Sequence, residues 1–366
     1  MRKLCLNMIV KDESEIIGEL LKSISKYIDY YIISDTGSTD NTKQIIKDYF
    51  DKINIDGEIH DDVWVNFGYN RSKALEHCKG KCEYCWIMDA DDIIVGDMTL
   101  PLEMNDDSYY LNIGKDFTWK RKQILKVDKN WKYVGVLHEY VMSDIAVTTG
   151  TIEGDYYIDA RTIGKRSCDP DKYKKDANVL LKALEEEPKN IRYIFYLAQS
   201  YADCNEYEKS NEYYLKRFNF GGWEEECYYS LYKIGVNNIK LKKSKHVIVE
   251  SLVRAFKYRP SRIEPLYELV NYLYYNKHIN EASKYAKLGL MLDLTLTKDL
   301  LFVSKHIYEY KFLDLAYLAL YYNNDFDNAY KCINILLKRK KYPVDNLSRL
   351  EKNRDFCIPK IIDKYI

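Results

Sequence analysis

The chain of 366 residues has no excess charge of either sign: Lys plus Arg and Asp plus Glu both number 56. A surface that neutralises phosphate usually shows as a basic excess, so no nucleic-acid partner is expected. Also lacking is any apolar run near the roughly 20 residues needed to span a bilayer. Residues 1–10 begin with a basic pair but are interrupted by Asn7, and they lack the longer apolar core and small-residue cleavage site of a secretory signal. An even set of cysteines is missing too. Nine are scattered along the chain, which favours reduced thiols over a disulfide framework. What is present, 46% hydrophobic and 31% charged residues, suffices to bury a core. These features predict a cytoplasmic protein without a membrane span, long enough for two domains.

The first 165 residues or so alternate short apolar runs with helical patterns. An apolar run over 4–10 is followed by Ile16, Ile17, Leu20, Leu21, Ile24 and Ile28, whose spacing marks one buried helix face, with Asp12 and Glu15 as its expected start. Further strands are expected over 30–34, near 53–59 and over 84–88, with a helix over 69–78. Strands alternating with helices imply βαβ units and a mostly parallel sheet. From about Asp171 the pattern becomes helix after helix. Pro188 and Pro260 precede two such helices and lie 72 residues apart, about twice the period of tetratricopeptide helix pairs. Tyr207-x-x-Ser210, Ile279-x-x-Ala282 and Phe326-x-x-Ala329 each follow a polar turn, and the small residue would let paired helices approach closely. The predicted class is α/β followed by an all-α solenoid, with domains at 1–165 and 166–366.

Ligands of an open α/β sheet bind outside the carboxyl ends of its strands. Polar clusters fall at those ends: Asn7 and Lys11-Asp12, Asp35, and Asp89 to Asp92, with Arg71 opening the helix before the last strand. Taken singly, each reads as an ordinary capped or solvated turn. Together they converge on one sheet edge. Asp89-x-Asp91 directly follows the buried run Trp86-Ile87-Met88. Carboxylates are hard oxygen ligands suited to Mg²⁺ or Mn²⁺, which bind them together with phosphate oxygens.

Four segments resemble, in order and spacing, the motifs of family 2 glycosyltransferases of the GT-A fold. They are residues 6–13 (Leu6 to Glu13), residues 33–42 with Asp35-Thr36-Gly37-Ser38, Asn70-Arg71, and Met88-Asp89-Ala90-Asp91-Asp92. The resemblance covers most of residues 1–145 and implies inverting sugar transfer from a nucleotide-sugar, commonly UDP-linked. It implies that Asp35 contacts uracil, that Arg71 reaches the base or diphosphate, and that Asp89 and Asp91 hold ribose and metal. Ser72 departs from the pattern, since many relatives carry Asn there. Trp131-x-x-x-Gly135-x-x-His138-Glu139, residues 166–173, 195–201 and 221–226 are similar to segments of a subgroup with a tetratricopeptide-like C-terminal half.

An inverting transfer needs a base for the acceptor's proton, and a carboxylate is the usual choice. Glu139 is the first candidate and Asp92 the reserve. His138 is a candidate metal ligand, as in other GT-A enzymes; the alternative is a hydrogen-bonded histidine beside a surface glutamate. Arg161, Lys165 and Arg166 are placed to lean over the diphosphate or to form a salt bridge between domains. Trp131 and Trp223 either stack on a sugar or belong to the core. The expected partners are a UDP-sugar donor and a protein, peptide or glycan acceptor. Oligomeric state stays open, a dimer through the helical half being one option.

Two other readings compete. Cys78-x3-Cys82-x2-Cys85 has the spacing of the cluster loop of radical S-adenosylmethionine enzymes, but a helix end and a strand divide the three thiols, whereas such a cluster needs them on one loop. A non-catalytic helical-repeat scaffold with a degenerate transferase domain is the second. Against it stand Asp35, Arg71, Asp89 and Asp91, all present.

Overall fold

The computed structural model describes residues 2–163 and 170–366. The chain divides into two compact units, Met1–Tyr196 and Leu197–Ile366. The first is a mixed α/β, GT-A-like domain and the second a tetratricopeptide-like helical solenoid. Among the described residues no helix is long and apolar enough to cross a membrane.

The first unit opens with β1 (Arg2–Val10), α1 (Ile17–Ile24), β2 (Tyr30–Asp35), α2 (Thr42–Lys52), β3 (Gly57–Asp61), α3 (Phe67–His77) and β4 (Cys82–Ile87). These strands lie parallel in the order β3-β2-β1-β4. Every residue of β2 is buried, as its unbroken apolar run requires for a strand covered on both faces. Ile17, Leu20, Leu21 and Ile24 of α1 enter the core. The helix has no side-chain cap at its start. Asp12, expected there, takes a left-handed φ of 54° and accepts from the backbone N–H of Thr39 at 2.7 Å. A partner on the neighbouring loop thus displaces the local cap. The strand expected near 53–59 begins only at Gly57, because Ile53 ends α2 and Asn54 turns the chain at φ 56°.

Beyond β4 the sheet becomes mixed, with antiparallel pairs that the alternation of strands and helices does not foretell. It continues through β5 (Asp92–Met98), β6 (Ser108–Ile113), β7 (Phe117–Lys126), β10 (Thr149–Thr151) and β11 (Gly154–Ala160), with β8 (Lys132–Val134) and β9 (Tyr140–Met142) forming a separate hairpin. Strand β7 runs antiparallel to both β4 and β6, and β11 antiparallel to β5. The register Tyr84↔Lys126, Cys85↔Leu125, Trp86↔Ile124 carries the basic strand β7 back toward the end of β4.

Helices α4 (Lys172–Glu186) and α5 (Ile191–Asp203) begin the helical series, and the second unit continues with α6 (Tyr207–Phe220) to α13 (Leu347–Tyr365). Tyr207, Ile279 and Phe326 each open a helix, as the three aligned segments predict. Ser210, Ala282 and Ala329 are all fully buried. The Ser210 hydroxyl donates to the Ala198 carbonyl at 2.8 Å, so the small side chain sits directly against the preceding helix.

Candidate active site

Strands β1, β2 and β4 end at one edge of the parallel half, where an open sheet receives its ligands. Asp35, the last residue of β2, is 1% exposed. Its Oδ1 accepts the backbone N–H groups of Gly37 and Ser38 at 2.9 and 2.8 Å. Its Oδ2 is buried and has no hydrogen-bond partner. Leaving a buried acceptor unsatisfied costs about 1–3 kcal/mol, so the atom marks a position where a donor is wanted. Lys11 is exposed beside the turn. Asn7 lies within β1, and its amide donates to the carbonyls of Ile32 and Ala74, tying β1 to β2 and α3.

Helix α3 is set by its cap. The Asn66 side chain accepts from the Tyr69 N–H at 2.8 Å, and fully buried Asn70 clamps the preceding loop through Val63 and Val65. Ser72, the departure from the family pattern, donates to the Gly68 carbonyl and accepts from the Tyr133 N–H at 2.9 Å. The β8 hairpin is thereby laid on the first turns of α3. A side chain at Gly68 would come within 3.1 Å of the Gly135 carbonyl. Gly135 itself holds φ 113°, a conformation that glycine adopts without steric penalty.

That approach brings Glu139 to Arg71. Arg71 donates through Nε to Glu139 Oε1 at 2.8 Å and through Nη2 to Asp89 Oδ1 at 2.5 Å. Arg121, from β7, meets Asp89 Oδ2 at 3.5 Å and Asp92 Oδ2 at 3.2 Å. Glu139, Arg71, Asp89, Arg121 and Asp92 therefore form one chain of alternating charge. Burial alone would raise the Asp89 carboxyl, but Arg71 and then Arg121 outweigh it and hold it at about 2. Asp92 behaves oppositely. Burial, then the adjacent Asp89 charge, push it up to about 7 against the pull of Arg121. Two carboxylates sharing one arginine are thus driven apart in acidity.

Arg121 is the member the sequence reading missed. It stands in Lys120-Arg121-Lys122, which reads as a solvated charge run; the antiparallel pairing of β7 with β4 is what turns it into the site.

The remaining candidates distribute as follows. The His138 ring stacks on Tyr196 with centroids 4.0 Å apart and planes 9° apart. Asp91 is half-buried, and its carbonyl accepts from Arg161 Nε at 2.8 Å. Arg161 also pairs with Glu19, so its ion pair lies within the first unit. Arg166 and Lys165 lie outside the described residues. Trp131 is buried and donates to the Lys126 carbonyl, a core position, whereas Trp223 is 43% exposed. Cys78, Cys82 and Cys85, separated by the sequence reading, converge with Cys5 in one buried cluster, because β1 pairs with β4 and sets Cys5 opposite Cys85. Among the described residues no group of three or more His, Cys, Asp or Glu side chains is arranged to hold a metal ion.

Residues 5–103, which contain Asp35, Arg71 and Asp89 to Asp92, match the family model described as Glycosyl transferase family 2. A TPR repeat-containing protein of Synechococcus elongatus is 30% identical over 95 residues, 26% of this chain and 22% of its own length. Among solved structures, the C-terminal part of a TPR repeat-containing protein from Cytophaga hutchinsonii is similar at 16% identity and a TM-score of 0.39, covering 53% of this chain and 68% of that one. MamA from Desulfovibrio magneticus is similar at 11% identity and a TM-score of 0.35, covering 46% and 86%.

Proposed function

We propose that the first unit is an inverting glycosyltransferase that moves a sugar from a UDP-linked donor to a protein, peptide or glycan acceptor. The observation that carries this reading is Asp35. One oxygen is pinned by two backbone N–H groups and the other is buried without a partner, at the edge where a nucleotide would lie. Uracil offers an N3–H to such an acceptor, and that contact would satisfy it. Arg71, a few residues along α3, suits a diphosphate through its planar fork.

Mg²⁺ or Mn²⁺ fits the carboxylates present. Half-buried Asp91, in the same run of carboxylates as Asp89 and Asp92, is assigned as a protein ligand, completed by the donor's phosphates. Such ions commonly bind through one or two carboxylates plus phosphate oxygens. The ion, when bound, neutralises the departing diphosphate.

In the transfer, the acceptor's nucleophile bonds to the anomeric carbon as the bond from that carbon to the diphosphate oxygen breaks, and the acceptor's proton passes to a carboxylate. Glu139 is assigned that role. Asp92 is only 2% exposed, too enclosed for an acceptor to reach. Its part is to set the charge balance behind Asp89. Glu139→Gln should lower metal-dependent hydrolysis of a UDP-sugar, with water as acceptor, by about 10²–10⁴-fold. The donor KM should stay within a few-fold. Near-normal turnover in that variant would remove Glu139 from the chemistry.

A further inference from the structure

The loop that delivers Glu139 passes through a left-handed turn. His138 has φ 51°, in a region that non-glycine residues adopt uncommonly, histidine, Asn and Asp more often than the rest. Strain of this kind persists only where the surroundings over-determine it, and it gathers at functional sites. At His138 the restraint comes from the first turns of α5. Arg192 Nε donates to the His138 carbonyl at 2.9 Å. The Arg192 guanidinium lies 4.8 Å from the ring centroids of both Tyr140 and Tyr196. Tyr196 also stacks on the His138 ring. One residue before Leu137, the Val136 N–H donates to the Tyr193 hydroxyl at 3.3 Å. Arg192 thus grips the segment on both sides of Glu139: the carbonyl before it and the ring after it.

We infer that Arg192 is a positioning residue, holding the His138 turn so that the Glu139 carboxylate meets Arg71. The inference rests on the nucleotide-sugar reading of the Arg71 site, and it goes beyond that reading by bringing α5 into the transferase machinery. Arg192 acts through the His138 carbonyl and the Tyr140 and Tyr196 rings. Cation–π contact with the two rings favours this arrangement and helps to hold the turn. Lysine could keep the charge over the rings but not the guanidinium's planar fork.

The test uses the full chain with Arg192→Ala, Arg192→Lys, Glu139→Gln and the double variant Arg192→Ala/Glu139→Gln. Acceptor-free hydrolysis is measured over a panel of UDP-sugars with Mn²⁺. Arg192→Ala should lower kcat about tenfold or more while the donor KM changes less than about threefold, and Arg192→Lys should recover part of the loss. The double variant should be no slower than Glu139→Gln alone, since a residue acting through Glu139 has nothing left to position. Equal kcat in Arg192→Ala, or losses that multiply in the double variant, would overturn the assignment.

A second arm needs no turnover. Amide hydrogen exchange across residues 135–142 should be faster by about tenfold or more in Arg192→Ala and unchanged in Glu139→Gln. Unchanged exchange in Arg192→Ala would overturn the proposal by itself. If the wild-type chain hydrolyses no UDP-sugar, the nucleotide-sugar reading fails, and the exchange arm still decides whether Arg192 holds the turn.

Discussion

Arg71→Ala should abolish UDP binding and also destabilise the first unit by about 3–5 kcal/mol, the usual result of removing one partner from a buried ion pair. The reason is that Arg71 is only 14% exposed and serves two carboxylates at once, Asp89 at 2.5 Å and Glu139 at 2.8 Å. Without it, Asp89 keeps only the longer contact to Arg121, and Glu139 loses its hydrogen-bonded counter-charge. Arg71→Lys retains the charge but cannot span both carboxylates with a planar fork, so it should restore stability in part and UDP binding very little. Urea unfolding followed by circular dichroism, beside calorimetry with UDP, separates the two effects. Full stability in Arg71→Ala would mean that the carboxylates do not depend on this arginine.

The second large effect is one of pH. Asp92 sits at about 7 in the folded chain, against an unfolded carboxylate near 4. A carboxyl raised on folding contributes stability that is complete below its unfolded pKa and is lost as pH rises through the folded one. Asp89, held at about 2, has the opposite sign, but its contribution changes only below about pH 4. Between pH 5 and 8 only Asp92 of this pair therefore changes the stability. Asp92→Asn, which cannot ionise, should become progressively more stable than wild type across that interval. The gap should widen by about 1–3 kcal/mol from pH 5 to pH 8. Denaturant midpoints measured at half-unit steps would show it. A constant gap across the range would mean that Asp92 is ionised throughout.

Much of this site is legible in the amino-acid order. Asp35, Arg71 and Asp89 to Asp92 fall where strand ends and a helix start are expected, and the structure gathers them at one sheet edge. Local periodicity also locates α1, and the Tyr207, Ile279 and Phe326 segments locate three solenoid helices. What escapes the sequence depends on pairing between distant segments. Arg121 enters the site only because β7 runs antiparallel to β4 in a register that no local pattern specifies. Asn7 looks like a strand-end ligand, yet β1 extends to Val10 and spends the amide inside the sheet. The four thiols converge because Cys5 and Cys85 are neighbours across parallel strands, a contact invisible to a spacing rule that reads only Cys78, Cys82 and Cys85. Arg192 follows a helix start, where nothing in the sequence distinguishes it from any solvated arginine.

Calorimetric titration of the chain with UDP in the presence of Mn²⁺, for wild type and for Asp35→Ala, tests the nucleotide assignment most directly. The buried, unpartnered Asp35 Oδ2 predicts that wild type binds UDP. It also predicts that Asp35→Ala binds UDP at least about tenfold more weakly, the loss of a hydrogen bond to a charged group being worth about 1.5–3 kcal/mol. The requirement for Mn²⁺ should be the same in both. No UDP binding by the wild-type chain, or equal affinity in the two proteins, would contradict the account.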